Sequence, residues 1–120
     1  MLMARLMSVS LTEPQVTDRS KTVTRRLGWR VLRPGDRVTL CRKVMGRKPG
    51  EPLVRLAEVE VTSVRRERLD AITAADVTAE GFPHASREEF IAFFCRTHRG
   101  CTPTTEVTRI SWRYLETTQE

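Results

Sequence analysis

The stretch Leu53–Val64, LVRLAEVEVTSV, limits the possible folds more than any other part of the chain. Its apolar residues alternate with polar ones at the period of a β-strand, but the parity changes between Val54 and Leu56 on one side and Val59 and Val61 on the other. Keeping both sets on one buried face needs an extra residue, a bulge near Ala57, and bulges curl a sheet. The neighbouring segments alternate too. DRVTLCRKVM, from Asp36, sets Val38 and Leu40 on one face, and Gly46–Pro52 has the composition of an exposed hairpin loop. TVTRRL, from Thr22, lies one tight turn earlier, across RPGD at Arg33–Asp36. EVTRISWRYLE aligns Ile110, Trp112 and Tyr114, and SVSL at Ser8–Leu11 reads as a first strand. Strands this close in sequence pair largely antiparallel, because there is room for few crossovers.

Helix signals occupy the remaining segments. Thr12, Glu13 and Pro14 open a short helix, and Thr73 caps AADVTAE before Gly81. SREE, from Ser86, forms a capping box for REEFIAFFCRTH before Gly100, with Phe90, Phe93 and Phe94 at helical spacing to meet the sheet. The expectation is an α+β fold, a curled sheet or small barrel of five to six strands flanked by two to three helices. With 120 residues, 39% of them hydrophobic, the chain can build one core, so residues 1–120 read as a single domain. No run approaches the ~18 apolar residues of a membrane span, and Arg5 interrupts the opening MLMARLM, so a cytoplasmic protein without a membrane partner is expected.

Charge is unevenly distributed. Residues 1–50 carry twelve Lys and Arg against Glu13, Asp18 and Asp36, whereas residues 51–120 carry nine against twelve carboxylates. Between Asp18 and Asp36 stand Arg19, Lys21, Arg25, Arg26, Arg30 and Arg33. Repulsion among them calls for an anionic ligand or for carboxylates brought from elsewhere in the fold. Three cysteines without an export signal read as reduced thiols. Cys95, His98 and Cys101 have a spacing compatible with zinc, with Cys41 or His84 as a fourth ligand. A structural zinc site normally shows two tight pairs rather than one triplet, so neither metal nor cofactor is expected.

RSKTVTRR, then LRPGDRVTL, then a long valine-rich strand, then ITAADVTAEGF leading into a helix, resembles the ASCH domain, a relative of the RNA-binding PUA fold. The resemblance runs from about Val9 to Tyr114 and implies a small PUA-like curled β-barrel. The family pattern Gly-x-Lys-Thr-x-Thr-x-Arg, with a later Gly-Asp turn and a Glu, is filled by Lys21, Thr22, Thr24, Arg26, Gly35, Asp36 and Glu80, while Arg19 stands in the glycine place. Compact bacterial members to which this sequence is similar include amidohydrolases that deacetylate N4-acetylcytidine. The resemblance assigns Lys21, Thr24 and Glu80 as the catalytic residues. It equally admits a non-catalytic module that binds RNA or a modified nucleotide, and some relatives are described as ribonucleases.

The chemistry behind that assignment is coherent. A threonine hydroxyl attacks only when a base removes its proton, and a lysine is that base only if burial and neighbouring cations lower its pKa. Glu80 would orient Lys21 or carry a proton to the leaving nitrogen. On a straight strand Lys21 and Thr24 would face opposite sides, so sharing a site requires the regular strand to start only at about Val23. Arg25 and Arg26 alternate, one toward the barrel mouth and one outward, with Arg26 either paired to Asp36 or held for a phosphate or base. Arg19 and Thr22 flank the lysine as further ligand contacts. Trp29, beside Arg30, offers a stacking surface for a base or else a lid over the barrel end, and His84 follows Glu80 closely enough to line the same mouth or to be merely solvated.

Overall fold

A computed structural model describes residues 5–116, so the first residues of MLMARLM lie outside the described part. Five strands form one curled, half-barrel sheet in the order β1-β3-β4-β5-β2: β1 Arg5–Ser8, β2 Val23–Arg26, β3 Arg37–Cys41, β4 Arg55–Arg68 and β5 Glu106–Tyr114. The α-helices among the described residues are α1 Glu13–Thr17, α2 Ala74–Ala79 and α3 Arg87–Thr97. β1 pairs with β3 in parallel and the other pairings are antiparallel. This is the α+β, five-stranded architecture expected above. Among the described residues no helix is long and apolar enough to cross a membrane.

The long strand carries two irregularities, the first of which is the source of its parity change. Leu40 pairs with Ala57 but Cys41 with Arg55, which leaves Leu56 as an extra residue where a bulge was expected. Further along, Val61 pairs with Trp112 and Ser63 with Ser111, so Thr62 is a second extra residue. These two bulges let β4 wrap the core while its valines stay inside.

The first strand differs from the expectation. β1 ends at Ser8, and Ser10–Thr12 forms a 3-10 turn closed by the Thr12 amide on the Val9 carbonyl (2.9 Å). The strand lies earlier, at Arg5–Ser8, with Met7 its buried residue, and the chain must leave the sheet before Pro14 can start α1. Thr12 occupies the cap position of α1 without making the side-chain cap bond; it is buried instead. By contrast, Thr73 caps α2, and Ser86 with Glu89 completes the capping box of α3.

Both faces of the sheet are covered. The inner face gathers Met7, Val9, Val16, Leu32, Val38, Leu40, Val59, Val61, Ile110 and Trp112. A second cluster, Leu69, Ile72, Val77, Phe90, Ile91, Phe94 and Val107, glues α2 and α3 onto the other side. β5 belongs to both, with Val107 facing the helices and Ile110 and Trp112 facing inward. The sheet stays open between its edge strands β1 and β2, where the Arg26 guanidinium reaches across to the Ser8 carbonyl (2.8 Å).

Candidate functional site

Lys21 is held by its backbone before its side chain does anything. Its amide donates to the Gln15 carbonyl of α1 (3.0 Å), and its carbonyl accepts from Trp112 Nε1 (3.2 Å) and Tyr114 Oη (2.5 Å). The next amide, Thr22, donates to the Ala79 carbonyl at the end of α2 (2.8 Å). The chain is therefore still turning at Lys21, and β2 begins at Val23, which is what placing Lys21 beside Thr24 requires. Gly81 closes the clamp. Its φ is +106°, and a Cβ there would stand 3.0 Å from Gln15, whose amide donates to the Gly81 carbonyl (2.9 Å).

So fixed, the Lys21 ammonium donates to Glu80 twice, to the carbonyl at 2.8 Å and to Oε1 at 2.9 Å. Lys21 is 2% exposed and Glu80 3%. Burial pushes the lysine below its ordinary pKa, opposed by Glu80 and reinforced by Arg26 and Arg25. Thr24, on β2, is buried, and its Oγ1 accepts from Arg26 Nε (3.3 Å). Lys21, Thr24, Arg25, Arg26 and Glu80 all line one cavity of about 210 Å³ at the open edge of the sheet. Its other walls are Ser8–Thr12 on one side and Phe82, Phe90, Phe93, Phe94, Thr97 and His98 on the other. That is smaller than the ~300–1,000 Å³ of sites for drug-sized ligands and suits one small molecule or a single base. Charged and hydroxyl side chains line one part of the cavity and aromatic side chains another.

The registers set three arginines side by side, since Arg25 pairs with Arg109 and Arg109 with Arg65. Like charges directly opposite one another destabilise a sheet unless carboxylates intervene. Asp76 of α2 bridges Arg25 and Arg109, at 2.7 Å from each, and Glu67 bridges Arg25 and Arg65, also at 2.7 Å. Arg109, with Arg25, holds the Asp76 carboxyl down at about 2. Arg25 also reaches Glu80 Oε2 at 3.5 Å, which links the network to the lysine. The anionic compensation that the basic segment demanded is thus supplied in large part from within, by the acidic second half of the chain.

Several expected contacts lie elsewhere. Both Arg25 and Arg26 are internal, because the outer face of β2 is covered by α2; Arg25 is 3% exposed. Arg26 does not pair with Asp36, whose carboxylate instead accepts the Arg33 amide within the RPGD turn (2.9 Å). Arg19 is outside the cavity, on the surface, with its guanidinium over the Tyr114 ring and an ion pair to Glu116 (3.1 Å). Its φ of 66° is in the left-handed region that favours glycine. Thr22 contributes backbone bonds and does not line the cavity. Trp29 packs partly buried against the inner core and does not line the cavity, and Arg30 and His84 are exposed and outside it too.

Sequence reasoning missed Ser8, Ser10, Thr12, Thr97 and His98 as lining residues, and it missed Glu67, Asp76 and Arg109 as supports. The detectable signal was parity: Arg25 shares its strand face with the apolar Val23 and Arg109 with the apolar Val107, where a charge needs a partner. By its spacing alone His98 reads as a metal ligand or as a solvated residue at a helix end. Its ring stacks on Phe94 (3.8 Å, 7°), and its Nδ1 is bonded to the Phe94 carbonyl (2.9 Å), which assigns the proton to Nδ1 and leaves Nε2 an acceptor. Among the described residues no group of three His, Cys, Asp or Glu side chains is placed to hold a metal ion.

No family model and no curated protein matches the chain. Solved structures do. A protein of Enterococcus faecalis V583 from the family DUF984 matches at a TM-score of 0.67 and 15% identity, over 100% of this chain and 86% of its own. An ASCH domain from Lactobacillus crispatus JV V101 matches at 0.61 and 12% identity, over 94% of this chain and 80% of its own. The ASCH protein of Zymomonas mobilis matches at 0.59 and 12%, over 90% of this chain and 65% of its own. The chain therefore has the ASCH-domain fold.

Proposed function

We propose that the protein is a small amidohydrolase that removes the acyl group from an N4-acylated cytidine-type nucleoside. The observation that carries this reading is that the buried Lys21–Glu80 pair and Thr24 line one cavity, which also has aromatic side chains in its lining. The chemical class is the one that the sequence resemblance implies, and three features of the cavity support it.

First, burial pushes the Lys21 pKa below its ordinary value, which moves the lysine toward the free amine that a general base needs, while Glu80 opposes the shift. Second, Thr24 Oγ1 already accepts a hydrogen bond from the Arg26 guanidinium, a contact that strengthens as the oxygen gains negative charge. Third, a flat pyrimidine has Phe82, Phe90, Phe93 and Phe94 to lie against, while its amide faces the polar wall. In this mechanism Lys21 takes the Thr24 proton and Oγ1 attacks the acyl carbonyl. The oxyanion forms beside Arg26, and Glu80 with Lys21 returns a proton to the departing exocyclic nitrogen. Water then releases the acyl group from Thr24 by the same steps in reverse.

The test is chromatographic. Wild-type protein incubated with N4-acetylcytidine should release cytidine. Lys21→Met and Thr24→Val should each lose nearly all turnover, and the double variant should be little worse than the worse single, because residues serving one step are not additive. Nucleoside binding without turnover in the wild type would refute hydrolysis and leave a PUA-like binding module. Full activity of Thr24→Val would transfer the attack to a water activated by Lys21 and Glu80.

A further inference from the structure

α3 has two working sides. Phe90, Phe93, Phe94, Thr97 and His98 face the candidate cavity. On the far side, Cys95 meets Cys101 of the loop before β5, with the two sulfurs 4.0 Å apart and both thiols free. They lie in an open groove of about 480 Å³, flanked by Ile91, Ala92 and Pro103, so a small oxidant can reach them. Cys41, the remaining cysteine, is fully buried and far from this pair in the chain.

We propose that Cys95 and Cys101 are a redox-modification site, forming a reversible disulfide that alters the cavity wall on the opposite side of α3. The co-reactant is a low-molecular-weight disulfide such as oxidised glutathione. The thiolate of Cys101 attacks it, giving a mixed disulfide and one glutathione thiolate. The thiolate of Cys95 then attacks the Cys101 sulfur, closing the Cys95–Cys101 bond and releasing the second glutathione. Two electrons pass to glutathione, and the two thiol protons go to the released thiolates.

Two observations tie this bond to the cavity. A disulfide bond is about 2.05 Å long, so the sulfurs must approach by about 2 Å through side-chain rotation and movement of the Cys101 segment toward the helix. The Cys101 amide donates to the His98 carbonyl (3.1 Å), so this segment pulls on His98, which lines the cavity and stacks on Phe94. Burial and the neighbouring thiol raise the Cys95 pKa, so exchange needs mildly alkaline solution.

The full chain is equilibrated at about pH 8.5 in graded ratios of oxidised to reduced glutathione, quenched by alkylation and weighed intact. The imidazole signals of His98 are followed by NMR in the same samples; the chain has two histidines, and His84→Asn assigns them. The expected product has lost two hydrogens and, alkylated after unfolding in denaturant, keeps Cys41 as its one reactive thiol, and the His98 signals shift with oxidation and return on reduction. Cys95→Ser under the same conditions should take up glutathione at Cys101 without that shift. Unchanged thiols, or mixed disulfides alone in the wild type, would overturn the proposal. So would a disulfide that leaves His98 unmoved, or an equal His98 shift in Cys95→Ser. None of these outcomes depends on which ligand the cavity takes.

Discussion

Replacing Arg25 with methionine should destabilise the protein by about 3 kcal/mol at pH 7, the low end of the ~3–5 kcal/mol typical when one partner of a buried ion pair is removed. The magnitude follows from what the substitution leaves behind. Arg25 lies 2.7 Å from Glu67, 2.7 Å from Asp76 and 3.5 Å from Glu80. Each of these carboxylates keeps one other cation: Arg65 for Glu67, Arg109 for Asp76 and Lys21 for Glu80. The loss is therefore of one shared cation and not of all compensation. Deletion also removes a buried Nε that has no partner, which offsets part of the cost. Methionine keeps much of the aliphatic volume, so packing contributes little. The assay is urea unfolding of wild type and variant at pH 7 and at about pH 4.5. Without Arg25, Glu67 and Asp76 lose a cation that lowers their pKa and bind protons more readily in the folded state than they do in the wild type, so the gap should narrow as pH falls. A cost below about 1 kcal/mol at pH 7, or a gap of the same size at both pH values, would refute the electrostatic argument.

Asp76, held at about 2 against an ordinary 3.8, should contribute roughly 2 kcal/mol of stability that is fully present above about pH 4 and lost as pH falls toward about 2. Asp76→Asn should accordingly differ most from wild type above pH 4 and converge with it in acid, as read from unfolding midpoints. Arg19→Gly should stabilise the fold by up to about 1 kcal/mol, because the backbone there is left-handed and the ion pair it loses is exposed. Thermal unfolding checks this, and a lower midpoint would mean that the Arg19 contact with Tyr114 outweighs the backbone relief.

The features legible in the sequence are those decided within a few residues. Thr73 and Ser86 cap their helices through the amide three positions on, Gly35 and Asp36 close a turn on Arg33, and parity along Leu53–Val64 already required a bulge. Such bonds need only the local chain path, so residue type and spacing suffice to place them. The first strand was misplaced because its alternation runs into residues that the following Pro14 obliges to leave the sheet. What the cavity holds was decided by tertiary structure. Glu80 meets Lys21 across 59 positions because α2 packs where the amide of Thr22 can reach Ala79, and Arg25 meets Asp76 because the β2–β5 register sets it against Arg109. Charge composition required anions near Asp18–Asp36 but did not say whether ligand or protein would supply them. Coulomb attraction is non-directional in sequence, and only the packing of the acidic half against the basic one brings Glu67, Asp76 and Glu80 within hydrogen-bonding distance of those cations.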